Sequence, residues 1–351
     1  MKRATLGLLA LLSLVACSAS DSWTEGWQAY TDGLTRLLDR EAQQPHPLPP
    51  FPHYPRGKAM AQQFSSPDIN LLEFLRLGRC KLGQTLAQRN SILGKHGDAA
   101  SLLVFDLQFL SQVDNCAISL AARDQHALAD ALLRAKKVKA QELPRRIFAA
   151  SLAGAEFREL WSPPEQRQTY QPNGEDVAVA ALQRWATWQA QWLAGNWSAG
   201  LEDGSGDALL TTLGEIRQGQ GGQLLQAQRI AVSHLQRASD ILQQRLHGRP
   251  LCLKPQPTPK ANHLRALLQA RFVGELQPRA ARINRHQQQL NAAIAAIELP
   301  LFDAMEAVAT EYLTWRSQRV ALLEQATQAY REHVASASAL LKQCGLSPGG
   351  N

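Results

Sequence analysis

From Leu301 towards the C-terminus, apolar residues return every third or fourth position: Leu301, Met305, Val308, Tyr312, Trp315, then Leu322 and Ala326. That spacing belongs to a helix burying one face. Arg319 stands where the stripe expects an apolar side chain. The pattern drifts on through Tyr330, Val334, Ala337 and Leu341 until Gly345 and Pro348 stop it. The preceding segment, Ala261 to Ile297, repeats the arrangement with Leu264, Leu267, Leu268, Phe272, Ile283, Leu290, Ile294 and Ile297. Gly274 and Pro278 predict a kink in it, because proline deletes one backbone hydrogen bond and crowds the turn before it. Pro300 is then the expected turn between two antiparallel arms. Further breaks fall at 94–98, 162–174, 195–206 and 219–222, and strand-like alternation is nearly absent. Ala, Leu, Gln and Arg, all good helix formers, recur throughout. The expected fold is all-α: an elongated bundle of long antiparallel helical hairpins.

The helical map orders the cysteines. Cys80 lies about 16 residues before a turn near His96 and Cys116 about 20 after it, which places them within roughly 6 Å of one level on adjacent antiparallel helices. Cys252 and Cys344 stand about 48 and 44 residues from Pro300, again a small mismatch at 1.5 Å of rise per residue. Two disulfides are expected, Cys80–Cys116 and Cys252–Cys344. No two of these cysteines have the close spacing of a zinc site.

The fifth cysteine, Cys17, closes Leu14-Val15-Ala16-Cys17, behind an apolar run that follows Lys2 and Arg3. A basic start, a short apolar run and a small residue at the cut describe an export signal. The run is too short to span a bilayer, which takes roughly 20 residues. The four residues resemble a bacterial lipobox. The resemblance implies cleavage after Ala16 and lipidation of Cys17, and two or more acyl chains hold a protein to a membrane almost permanently. In the lipoproteins it resembles, an Asp after the cysteine favours inner-membrane retention. Ser18 here points to the periplasmic face of the outer membrane. The expected organisation is a signal at 1–16, a tether with a short helix and Pro-rich strap at 17–60, and a helical bundle at 61–351. The bundle could subdivide near 162–174.

The formal charge of +7 includes Lys2 and Arg3, which leave with the signal, and no stretch carries five like charges in a row. Nucleic acid is therefore not an expected partner. Pro45 to Pro55 must be extended; it reads as a strap with Phe51 and Tyr54 packed down, or as a docking ligand or spacer. Trp185, Trp188 and Trp192 share one side of a helix, as a core stripe does, or as a rail for stacking sugars does. Asp203 to Asp207 lacks the glycine and glutamate of a calcium loop and reads as a turn capping the next helix. The histidines are scattered, and no phosphate loop or nucleophile elbow occurs. No cofactor or metal is expected. Arg76, Arg79, Arg89 and Asn90 surround the first hairpin; they form a salt-bridged polar face, or an anion pocket.

The run Leu72-Glu73-Phe74-Leu75-Arg76-Leu77-Gly78-Arg79-Cys80, with Gln88-Arg89-Asn90-Ser91 behind it, resembles an uncharacterised bacterial envelope lipoprotein family, domain of unknown function 3080. So do Pro52-His53-Tyr54-Pro55-Arg56, Gly248 to Cys252 with Pro257-Thr258-Pro259, and the closing Gln343-Cys344-Gly345-Leu346. The resemblance implies an envelope lipoprotein and carries no activity to any residue. The expected function is a periplasm-facing binding or scaffolding module, held to the membrane by its lipid and partnered by an envelope protein or peptidoglycan. The rival reading is an enzyme or small-ligand carrier with an inter-helix pocket, in which arginines hold an anionic ligand.

Overall fold

The computed structural model describes residues 22–39, 46–65, 80–91, 97–164, 170, 176–201 and 204–347. Cys17, Arg76 and Arg79 lie outside these residues. The described residues form helices and connecting loops, with no strand among them. Helix α1 (Ser22–Leu37) is followed by an extended strap, 46–56, and a 3₁₀ turn, Gly57–Met60. Helices α2 (Lys81–Asn90), α3 (Ala99–Ala121) and α4 (His126–Ala150) come next, then α5 (Ala155–Leu160), α6 (Val177–Leu193) and α7 (Asp207–Arg217). The chain continues through α8 (Gly221–His247), α9 (Pro259–Leu267), a π-helical segment (Leu268–Leu276), α10 (Gln277–Ala304) and α11 (Thr310–Lys342). Local chemistry sets several starts. Asp98 accepts from the Ser101 N–H at 2.8 Å, Asp176 from Ala178 at 2.8 Å and Thr258 from Ala261 at 3.2 Å, each filling an open position of a first turn.

The long pairs are α3 on α4 and α8 on α11, with α6 packed against α7 and α10. One apolar core runs from Trp23 to Cys344 through all of these helices. Both disulfides are present, Cys80–Cys116 with Cα atoms 5.6 Å apart and Cys252–Cys344 with 5.2 Å.

Three features depart from the sequence expectation. The turn between the last two arms is at 305–309, and Pro300 lies inside α10. Both Ala296, whose carbonyl Pro300 leaves unbonded, and Pro300 itself are exposed, so water can satisfy that carbonyl. The neighbouring carbonyl of Ile297 accepts from Gln189 at 2.9 Å. The kink expected at Gly274 and Pro278 is instead the π segment, whose wider turns carry the chain continuously from α9 into α10. The unexpected turn 122–125, with Asp124 at φ 57°, divides α3 from α4, and no Gly or Pro marks it.

The described part of 17–60, expected as a tether with a short helix and a Pro-rich strap, is built into the bundle. Trp23, Trp27, Tyr30, Leu34 and Leu38 are at most 2% exposed, and α1 packs against α8, α9 and the π segment. The strap is seated as well: Trp315 donates to the Pro52 carbonyl at 3.1 Å, Arg229 to the Pro49 carbonyl at 2.5 Å, and the buried Tyr54 hydroxyl to the Leu152 carbonyl. The break at 219–222 has a steric cause. A Cβ on Gly222 would stand 1.8 Å from the Ser162 carbonyl oxygen, so only glycine lets α8 start there.

Candidate functional site: a neutral groove along α3

Helix α3 divides its polar residues by charge. Asp106 and Asp114 turn towards α4, where Asp106 accepts from Lys139 and, at 2.7 Å, from Arg146, while Asp114 pairs with Lys136 at 2.7 Å. The opposite face carries Ser101, Phe105, Gln108, Ser111, Gln112, Asn115 and Ser119. Their spacing of three and four residues is one continuous helix face. Two clefts run along it, of ≈ 500 Å³ and ≈ 650 Å³, and Gln108 lines both. From Ser101 to Ser119 that face extends about 27 Å at 1.5 Å per residue.

The walls come from neighbouring elements. Lys81 and Gln88 of α2 stand on one side, with Ser198, Leu201, Gly204 and Ser205 on the other. The Cys80–Cys116 disulfide fixes α2 to α3 at one end, and Thr85 donates to Gln112 at 3.2 Å. Gln108 is 7% exposed; its amide nitrogen donates to the Gly204 carbonyl at 3.0 Å, while its Oε1 has no partner. A buried acceptor left open in this way costs about 1–3 kcal/mol, unless something donates to it. Among the described lining residues Lys81 alone carries a charge. The chemistry on offer is hydrogen bonding by hydroxyls and carboxamides, with no acid–base pair converging on one point.

The sequence-derived candidates fall in different places. Arg89 is half-buried in the last turn of α2, between Gln88 and the groove-lining Ser91, and Asn90 ends that helix. Trp185 and Trp192 are 0% and 1% exposed and meet edge to face at 5.4 Å, as the core-stripe reading expects. Trp192 donates to the Ala199 carbonyl at 2.8 Å, and half-buried Trp188 covers Gly200, so the stripe pins the 195–201 turn that walls the groove. Gly206, at φ 84°, packs so close to Val104 that a Cβ would stand 2.5 Å from it. Ser205 accepts from the Asp207 N–H at 3.0 Å, a local turn; Gly206 holds the N-cap position of α7, which has no side-chain cap. No cluster with metal-binding composition occurs among the described residues.

The sequence reading missed the groove, although its signal was present in α3. Asp106 and Asp114 fall on one side while uncharged polar residues recur on the other. A second missed constellation joins Tyr170, His286 and Asp176. The Tyr170 hydroxyl bonds to His286 Nδ1, and His286 Nε2 bonds to the Asp176 carboxylate at 2.5 Å. Burial opposes the Asp176 carboxylate, but its bonds to His286 and to the Ala178 N–H prevail and hold its pKa below the ordinary value. Burial pushes the Tyr170 phenol up. The cavity beside Tyr170 is only ≈ 20 Å³, about one water in size, so the trio works as a clasp between the start of α6 and α10.

A family model described as a protein of unknown function, DUF3080, matches residues 27–348. The chain belongs to this family. No curated protein and no solved structure matches it. The DUF3080 match begins inside α1 and ends beyond α11, so strap, groove and both disulfides are parts of one family domain. No helix among the described residues is long and apolar enough to cross a membrane.

Proposed function

We propose that this DUF3080 protein is a lipid-tethered binding or scaffolding module on the periplasmic face of the outer membrane. The observation that carries the reading is the groove on α3: an open face about 27 Å long, walled on both sides and lined by hydroxyls and carboxamides together with Lys81 and apolar side chains such as Phe105 and Leu210. A surface of that kind suits holding a long partner more than performing a reaction. The lipobox-like residues 14–17 supply the tether. Helix α1 starts at Ser22, five residues after Cys17, and is built into the core. A five-residue link reaches at most about 18 Å. The bundle would thus ride directly on the membrane surface, and the Pro-rich strap would not act as a spacer.

The test is crosslinking of the lipid-anchored protein in intact cells, followed by purification and mass spectrometry. A reproducible envelope component, lost together with membrane association in Cys17→Ala, is the expected result. Repeated recovery of the protein alone would overturn the binding role. Unchanged membrane association of Cys17→Ala would overturn the tether.

A further inference from the structure

Helix α11 packs one side on α8 and leaves another open to solvent. On the open side the sequence keeps a heptad. Leu313, Val320, Thr327 and Val334 follow one another at intervals of seven, and Ser317, Glu324, Arg331 and Ser338 run beside them at the same interval. Leu313, Val320 and Val334 are 42%, 36% and 47% exposed. Seven residues is the period of a seam between two helices. A cleft of ≈ 520 Å³ lies along the middle of the stripe, with Val320, Glu324, Thr327 and Arg331 on its α11 wall and Gln287 and Asn291 of α10 across from them. Among the described residues, neither Glu324 nor Arg331 has an ion-pair partner in its own chain.

We infer that this face pairs with the same face of a second copy of the chain, α11 against α11 and antiparallel. The charges select the occupant. Glu324 and Arg331 stand one repeat apart, about 10.5 Å along the helix. A two-fold axis through their midpoint, beside Thr327, brings Glu324 of each copy level with Arg331 of the other. The same axis sets Val320 within about 1.5 Å of the level of Val334, and Ser317 level with Ser338. The stripe is its own complement when reversed, as a two-fold interface requires, since every contact from one residue to another recurs in the opposite sense. Parallel packing would set Glu324 on Glu324 and Arg331 on Arg331, and like charges face to face are unfavourable. A partner of different sequence would ask for no such reversal symmetry. The pairing lies on α11, so it stands or falls independently of the α3 groove.

The test is Thr327→Cys in the full-length protein in intact cells, read as a covalent dimer on a non-reducing gel. Cys80, Cys116, Cys252 and Cys344 are already engaged in disulfides. Residue 327 lies next to the axis and is expected to link to its own copy. Ser317→Cys would stand about 31 Å from its copy and is expected to remain single. Adding Arg331→Glu or Glu324→Arg to Thr327→Cys puts two like-charge pairs in the seam and should cut the linked fraction about tenfold. Exchanging both charges together should restore it. That rescue separates an interface effect from a folding defect, and both side chains are exposed. No dimer from Thr327→Cys overturns the inference. So does equal linking from Ser317→Cys, or a linked fraction that ignores the charge changes. Linkage of residue 327 to a different protein, identified by mass, gives the face to another partner and overturns it as well.

Discussion

At the scale of single residues, the core holds an ion pair that periodicity marked only as a fault. Arg319 and Glu298 are 4% and 1% exposed. Glu298 accepts from Tyr312 at 2.7 Å, Arg316 at 2.7 Å and Arg319 at 3.2 Å, and the Arg319 guanidinium lies 5.0 Å from Trp161 and 4.7 Å from Trp315. Glu298→Ala leaves a buried cation uncompensated and should cost about 3–5 kcal/mol in chemical denaturation. Replacing both partners by apolar residues should cost much less than the sum, because no charge is then stranded. A second residue effect is pH-dependent. His333, bonded to Tyr30 at 2.8 Å, is pushed down to about 3 by burial, and His234 to about 4 by burial reinforced by Arg237. Both rings are neutral when folded, yet take a proton near 6.5 when unfolded. Stability is therefore full above about pH 6.5 and falls as pH drops towards 3, by up to ~1.4 kcal/mol per unit for each ring. Urea midpoints between pH 7 and 5 should show that slope, and it should flatten in His333→Gln. The sequence shows that Arg319 interrupts a stripe, but its partner in another helix and the two histidines' burial depend on packing.

At the scale of elements, the two disulfides guard different things. The Cys80–Cys116 pair joins α2 to α3, and α2 packs chiefly on α3 alone. Its double serine variant should leave the global transition nearly in place, while hydrogen exchange across 81–90 accelerates. The Cys252–Cys344 pair closes 92 residues and fastens the 248–258 segment to the end of α11. Its loss should lower global stability by about 4–5 kcal/mol, read as a shift in the guanidinium midpoint. Both pairings were legible because helical rise converts sequence distance into height. The second survived a misplaced turn: the chain reverses at 305–309, and Cys252 sits in an irregular segment that can fold back to meet the helix end. Pro300 was misread because a proline on an exposed helix face leaves its orphaned carbonyl to water. The groove escaped notice for a related reason. Uncharged polar residues on a helix look like ordinary solvated surface until a neighbouring hairpin and loop rise on either side.

At the scale of the whole molecule, the all-α class was written in the periodicity, whereas the hairpin at 122–125, the packing of α11 on α8 and the seating of α1 in the core were not. The Pro-rich stretch reads as a strap across the bundle or as a docking ligand or spacer, and the packing shows the strap, held beneath Arg229 and Trp315. That placement has a consequence in time. Tyr30 finds its partner His333 about 300 residues downstream, and Trp23 donates to the carbonyl of Ala227 at 3.0 Å. A chain synthesised from its N-terminus delivers α1 first and the surfaces that receive it last. Until α8 and α11 have emerged, the ring faces of Trp23, Trp27 and Tyr30 lack the surfaces that bury them in the folded protein. The first helix to arrive is thus the last to be seated, and the two ends of the polypeptide close the molecule together.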